Sequence, residues 1–428
     1  MNSLETGAPV MSGSGDEIFV ARQPIFDAQQ KLFGYELLYR SSLHDSFDWV
    51  DGTSATLNVL RDAFLVLGTR LVGANKAFIN FNLDLLQRRI PLMLHPENTV
   101  IEILENVTGG TAVVEVCREL KGAGYTIALD DFAPAKGVVS EELVDLADII
   151  KVDFRLTDST ERGHVVKSLK GKKAEFLAEK VETPAEFAEA REMGYRYFQG
   201  YFFGKPHVVS AKNMPGNKVN YLRMLHEILR VDMDFLDLEG IIKQDTYLSY
   251  TLLNYINSAY FGLRGSVGSV MQALELLGER EIRRWASLVV LTFIGADKPS
   301  EVSITSLIRA KFCESLAINT VFAGKAPELF MTGMFSMLDV LVGRPMEEVL
   351  DAINVSKEIR VALTTGDNLH GDLLKLVYAY ERAAWQDVDS WAGRLDLDIA
   401  KIPPDYGQSV QWAETVFGLG MSGEPVRN

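Results

Sequence analysis

Up to about residue 207 the chain alternates between two patterns. Short apolar runs of strand length are separated by stretches whose apolar residues recur every three or four positions. The runs predict strands near 32–39 (LFGYELLY), 77–82 (AFINFN), 99–104 (TVIEIL), 125–130 (YTIALD), 148–153 (DIIKVD), 174–178 (AEFLA) and 195–199 (YRYFQ). The intervening periods predict helices near 53–68, 111–123, 139–147 and 184–193. The runs are continuously apolar rather than alternating, so both faces of each strand are expected to be covered, as in a parallel sheet flanked by helices. After Pro206 the strands stop. NKVNYLRMLHEILR, LEGIIKQDTYLSYTLLNYINS, VMQALELLGEREIRRWASLVVL and SLIRAKFCESLAINTVF all carry helical spacing. The fold class is therefore α/β followed by all-α. The change falls in KPHVVSAKNMPGN, where Pro, Gly and Asn cluster. The expected division is a disordered leader over 1–16 (with Met11 as an alternative first residue), a β/α unit over 17–207 and a helical unit over 208–428.

The apolar runs end in a consistent way. YTIALDDF closes on two adjacent carboxylates, Asp130 and Asp131, and other strands finish on Asn80, Glu102, Lys151, Glu179 and Gln199. Residues leaving a strand are often polar because loops are wet, and that accounts for any one of them. Six successive strands ending this way point instead to a parallel β/α barrel, whose strand ends converge on one mouth. Carboxylates gathered there repel and need a counter-charge. The donors are hard oxygens without His or Cys at zinc spacing, so Mg²⁺, Mn²⁺ or Ca²⁺ is the expected guest. Two adjacent aspartates can serve two ions, an arrangement suited to phosphodiester hydrolysis. Lys151 would sit among the acids, orienting or deprotonating a water or simply pairing with Asp131.

Composition narrows the field. A formal net charge of −15 over 428 residues argues against general nucleic-acid binding, which needs a basic face. No run of 18 apolar residues predicts a membrane span. The two cysteines, Cys117 and Cys313, lie far apart in helical contexts and read as packed thiols in a reducing cytoplasm. In the helical half, His226 and His370 have no metal-ligand neighbour at helical spacing and read as helix-surface residues. Asn257 and Ser258 read as a cap or turn, and Arg280, Arg283, Arg284 and Trp285 as a half-buried helix face.

GYELLYR resembles the Glu-x-Leu-x-Arg signature of EAL-type cyclic-di-GMP phosphodiesterases, here Glu36, Leu38 and Arg40. FIN, IEILE, LDDF, IKVD, AEKVET and QGYFFGKP follow in the family's order, over roughly residues 17–207. FVARQPIFDAQQKLFGYELLYRSS with AEKVET is similar to the YuxH-like subgroup, in which an EAL-like barrel precedes an HDOD domain, and DTYLSYTLLNYINSAYFG with SVMQALELLGEREIRRWASL resembles that second domain. The resemblance implies a shortened TIM-type β/α barrel, since the segment between Lys151 and Glu179 is brief for a full β/α unit. It implies that Glu36, Asn80, Glu102 and Asp130 hold one Mg²⁺ or Mn²⁺, that Asp130 and Asp131 engage a second, and that Ca²⁺ substitutes without turnover. Lys151 and Glu179 would be catalytic, and Leu38, Arg40 and Gln199 would bind substrate. The sequence departs from the family at DDFAPAKG, which replaces a glycine-bearing loop, and at Lys180, which stands where a glycine is usual. In the helical half GMFSMLDVLVG has Ser336, Met337 and Asp339 but no His-Asp pair, so metal hydrolysis there is not expected. The expected function is cytoplasmic cyclic-di-GMP signalling, the barrel binding or sensing the dinucleotide and the HDOD domain relaying to a protein partner. An active phosphodiesterase and a non-catalytic scaffold are the alternatives, and a homodimer is open to all three.

Overall fold

The computed structural model describes residues 19–40, 69–73, 75–104, 107, 110–132, 140–200, 216–230, 232–257, 267–294, 298–318, 320–353 and 355–422. The expected leader over 1–16, the helix expected over 53–68, the departing stretch after Phe132 and the unit boundary near 207 lie outside them.

Eight strands close into a barrel in chain order: β1 (Phe19–Asp27), β2 (Leu32–Arg40), β3 (Lys76–Phe81), β4 (Thr99–Ile103), β5 (Thr126–Leu129), β6 (Ile149–Asp153), β7 (Glu175–Glu179) and β8 (Tyr197–Gln199). Neighbours from β2 to β8 are parallel. β4 and β6 are buried at every position, as their unbroken apolar runs require.

Two elements differ from the pattern-based expectation. β1 runs antiparallel to both β2 and β8, so the sheet is not wholly parallel. Its sequence, FVARQPIFD, places Arg22, Gln23 and Pro24 in mid-run, which breaks the apolar signal. The segment after Lys151 is also not truncated. It holds a ten-residue helix, Ser159–Ser168, whose weak amphipathic pattern hides it. Asp158 and Glu161 close a reciprocal capping box at its start.

Besides a single turn at Thr69–Val72, the described helices of the barrel are α1 (Leu83–Gln87), α2 (Thr111–Gly122), α3 (Glu141–Leu146), α4 (Ser159–Ser168) and α5 (Pro184–Met193). α5 begins on a Thr183–Glu186 capping box with Pro184 in its first turn and stops at Gly194, whose φ of 101° is left-handed.

Inside the barrel one residue from each strand forms an apolar layer: Ile25, Phe33, Phe78, Val100, Ala128, Ile149, Leu177 and Tyr197. Phe33 stacks on Tyr197 with ring centroids 4.2 Å apart. Gly34 beside it has no room for a side chain, since a Cβ would lie 2.6 Å from the Lys76 carbonyl oxygen.

The second unit is helical throughout: α6 (Gly216–Ile228), α7 (Phe235–Lys243), α8 (Thr246–Ile256), α9 (Val270–Ile294), α10 (Ser300–Ile318), α11 (Ala326–Phe335), α12 (Leu338–Val342), α13 (Met346–Ala352), α14 (Lys357–Thr364), α15 (Leu369–Glu381), α16 (Trp385–Leu395) and α17 (Ile402–Ser422). Helices α10 and α11 cross closely at Gly333, where a Cβ would meet the Arg309 carbonyl oxygen at 2.3 Å. Cys117 and Cys313 are buried free thiols. Asn257 bonds both ways to the Val267 backbone at 2.7 and 2.9 Å, the turn role expected of it, while Ser258 is outside the described residues. No helix among the described residues is long and apolar enough to cross a membrane.

The two units meet along β1. Phe19 packs edge-on against Trp385, and the Tyr380 hydroxyl donates to the Val20 carbonyl at 3.2 Å. Arg22, 5% exposed, donates to Glu414 at 2.5 Å, lies 3.9 Å from Glu301 and sits 4.2 Å over the Tyr35 ring. The Tyr35 hydroxyl donates to the Glu301 carboxylate at 3.1 Å. Glu301 is buried, and Arg22 is the cation beside it. Removing one member of such a pair leaves a buried charge uncompensated. Arg22→Met is expected to cost about 3–5 kcal/mol, read as a lower urea midpoint, and Glu301→Gln in the same chain should recover part of the loss.

Candidate functional site

The strand period places the site. Side chains two residues apart on a strand share a face, about 7 Å apart along it. Two residues beyond the apolar layer stand Asn80, Glu102, Asp130, Lys151, Glu179 and Gln199, each following its layer residue Phe78, Val100, Ala128, Ile149, Leu177 or Tyr197. β2 contributes Glu36, two residues past Gly34. A second layer, wholly polar, thus sits on the first.

Lys151 is its centre and has no exposed surface. Its ammonium lies 2.9 Å from Asp130, 2.7 Å from Glu179 and 3.5 Å from Glu36, and it contacts Glu102 as well. The Glu36 carboxylate accepts from Asn80 Nδ2 at 2.9 Å and from Gln199 Nε2 at 2.7 Å. Two buried amide oxygens, Asn80 Oδ1 and Gln199 Oε1, accept no hydrogen bond among the described residues. Leaving a buried acceptor unpaired costs about 1–3 kcal/mol, so these oxygens are aimed at something other than protein.

Four carboxylates around one ammonium cannot all ionise cheaply. Burial raises Glu36, but Lys151 and the two amide donors outweigh it and hold this carboxyl below its ordinary value. Glu102 is pushed well above the usual carboxylate range by burial and by Glu36. Glu179 is raised by burial, with Asp130 and Glu36 adding to it against the pull of Lys151. Burial would strip the proton from Lys151, yet the surrounding acids hold it well above the ordinary lysine value.

Asp131 stands at the rim with a φ of 43°. One oxygen each from Asp130, Asp131 and Glu179 lie within 4.8 Å of one another, the one such group of acids, His or Cys among the described residues. Leu38 is half-buried on the Glu36 face of β2 and packs on the main core. The Arg40 backbone ends that strand, and its side chain is outside the described part.

Two neighbours carry no sequence-based expectation. Asp153 is buried two residues beyond Lys151; its Oδ1 accepts from the Arg155 and Leu156 amides, and Lys180 donates to its Oδ2 at 2.5 Å. The same period of two that locates Lys151 would have located it. Gln23 is the β1 member of the polar layer, two residues from Ile25 and directly opposite Glu36. Because β1 runs the other way, the counting direction reverses there.

The helical half holds no comparable cluster among its described residues. Ser336, where a metal-binding His would be needed, accepts instead from Arg309 Nη1 at 3.2 Å. His226 is exposed, but His370 is not a surface residue: it is 1% exposed, 3.3 Å from Glu328, and lowered in pKa chiefly by burial. It is the second residue of α15 and packs inward with Gly371, a tertiary fact that its own neighbours in sequence do not carry.

A model of the EAL domain matches residues 74–206, beginning after β1 and β2, and a model of the HDOD domain matches residues 214–360. The cyclic di-GMP phosphodiesterase CdgJ of Vibrio cholerae is 33% identical over 405 residues, 94% of this chain and 93% of its own. The uncharacterized protein YuxH of Bacillus subtilis is 34% identical over 409 residues, 94% of this chain and 99% of its own. Among solved structures, the calcium and cyclic-di-GMP complex of Klebsiella pneumoniae BlrP1 is 25% identical, covering 46% of this chain and 58% of that one at a TM-score of 0.37.

The acid cluster has a consequence for stability. Glu102 binds its proton more tightly folded than unfolded, so its cost is absent below the unfolded value of about 4.3 and grows as pH rises toward the folded value. Glu102→Gln is therefore expected to raise the thermal midpoint of metal-free protein at neutral pH by several degrees, at about 2–4 °C per kcal/mol for domains of this size. The gain should shrink as pH falls toward 4.5, which a series of melting curves would read.

Proposed function

The chain belongs to the EAL–HDOD family of cyclic-di-GMP-related proteins, and from that premise we propose that its barrel binds cyclic-di-GMP through divalent cations while its helical unit conveys the bound state to a protein partner. One observation carries the reading: a polar layer of side chains from successive strands surrounds Lys151 and leaves the buried amide oxygens of Asn80 and Gln199 with no donor among the described residues. Such hard donors fit Mg²⁺ or Mn²⁺, and Ca²⁺ equally by charge. Glu36, Asn80, Glu102 and Asp130 would hold one ion, and Asp130, Asp131 and Glu179 a second. Bound there, the ions would supply an acidified water and positive charge for phosphate oxygens.

The remaining work belongs to the chain. The Asn80 and Gln199 amides hold the Glu36 carboxylate with both oxygens fixed. Lys151, kept protonated by the acids, acts as a donor that orients a water or a phosphate oxygen rather than as a free base. Leu38 and Arg40 would line the dinucleotide face beyond Glu36.

Hydrolysis is the second reading, favoured by Lys151 standing within 3 Å of both Asp130 and Glu179 and by the phosphodiesterase name of the V. cholerae relative. Calorimetry with Ca²⁺ and cyclic-di-GMP on the full chain, followed by incubation with excess Mn²⁺, separates the two. Heat without linear product leaves binding alone; no heat in either ion removes both. If hydrolysis occurs, Glu36→Ala should abolish it, and Lys151→Ala should cut it by about 10²–10⁴ while dinucleotide binding largely persists.

Metal uptake should also depend on pH. Glu102 and Glu179 are protonated beyond the ordinary range, and a carboxylic acid must lose its proton to ligate. Mn²⁺ affinity is therefore expected to rise with pH and to release protons, detected as an observed enthalpy that changes with the buffer's ionisation heat.

A further inference from the structure

The polar layer is joined to the helical unit by an unbroken series of hydrogen bonds. Glu381 is the last residue of α15, so its carbonyl is one of the four at a helix C-terminus without an intrahelical donor. It accepts from Gln23 Nε2 at 3.3 Å. Gln23 Oε1 accepts in turn from Gln199 Nε2 at 3.1 Å, and that same Gln199 nitrogen donates to Glu36 at 2.7 Å. The position of the Glu381 carbonyl is itself fixed. Its carboxylate is gripped by Arg309 through Nε at 2.9 Å and Nη2 at 2.7 Å, and both side chains are buried.

The chemistry of the amide makes this series directional. A glutamine has one donating end and one accepting end. With the Gln23 nitrogen committed to the Glu381 carbonyl, only its oxygen can face Gln199. Gln199 must then present nitrogen to Gln23 and Glu36, which leaves its own oxygen, 3% exposed as a residue and otherwise unpartnered, free toward the cluster. Were Gln23 reversed, two amide nitrogens would oppose each other and Glu36 would lose a donor. A cavity of about 40 Å³ lies beside this path, lined by Gln23, Gly200, Glu301, Arg309, Glu381 and Tyr406.

We infer that Gln23 is a positioning residue through which the helical unit sets the orientation of Gln199 and the hold on Glu36. A partner that displaces the end of α15 would thereby change how the barrel mouth holds its cation. The relay stands on hydrogen bonds alone; its effect on a cation rests on the metal reading proposed above.

Full-length protein labelled with ¹⁵N at glutamine tests both. In metal-free wild type the Gln199 side-chain amide is expected to be shifted and slow to exchange. Gln23→Met, equal in length but unable to bond, should return that signal toward free glutamine and weaken Mn²⁺ binding about tenfold. Arg309→Lys, which leaves the barrel sequence intact, should move both in the same direction by less. If neither variant alters the Gln199 signal, the relay is wrong. An altered signal with unchanged Mn²⁺ affinity overturns the control of the site. Should wild type take up no Mn²⁺, the metal reading fails and the relay is decided by the amide signal. Should Gln23→Met not fold, Arg309→Lys decides it in the same way.

Discussion

A lysine with no exposed surface, ringed by four carboxylates, is the constraint around which the barrel is organised. Buried charge is tolerated only when paired, and an effective penalty of several kcal/mol per ion must be offset locally. One ammonium cannot neutralise four acids, so the protons redistribute: Glu36 is held toward the ionised form by Lys151 and its amide donors, while burial pushes Glu102 and Glu179 toward the neutral form. The cluster is balanced by protons in the metal-free chain, and cations of higher charge would replace them. Stability and binding therefore draw on the same residues in opposite directions, as expected where a site is built from groups the fold would otherwise exclude.

The barrel supplies rigidity for this. Because Asn80, Glu102, Asp130, Lys151, Glu179 and Gln199 each stand two residues above an apolar neighbour in the same strand, their height and direction follow from the packing of Phe78, Val100, Ala128, Ile149, Leu177 and Tyr197 below. β1 serves two layers of the molecule. Its Arg22 faces Glu301 and Glu414 across the seam, while the next residue, Gln23, faces Glu36 within the mouth. A strand that alternates faces is the shortest mechanical connection between the helical unit and the site.

The parts legible in the sequence were those where a local rule met no competitor. Continuous apolar strands and their polar ends located Asn80, Glu102, Asp130, Lys151, Glu179 and Gln199 because strand direction and period were shared. β1 escaped because Pro24 and two polar residues interrupt it, and its polarity makes sense only once its two partners, β2 and β8, are known. The helix over Ser159–Ser168 escaped because it buries little, its boundary being set by the Asp158 cap rather than by an apolar stripe. Asp153 was within reach of the rule that found Lys151. His370 was not, since its burial against Glu328 comes from a neighbouring helix.

The departure at Lys180 illustrates how magnitudes decide between loss and remodelling. Its φ of 53° is left-handed, the conformation that a glycine adopts without strain. A lysine there costs about 1–2 kcal/mol. Against this, Asp153 is 3% exposed, and the Lys180 ammonium reaches it at 2.5 Å while remaining largely in solvent. Because that ammonium is solvated, the pair contributes only about 0–1 kcal/mol, and Asp153 is also held by the Arg155 and Leu156 amides. The lysine thus offsets only part of its own backbone strain. It also adds a positive charge two residues from Glu182 and beside Glu179, at the edge where an anionic phosphate would enter.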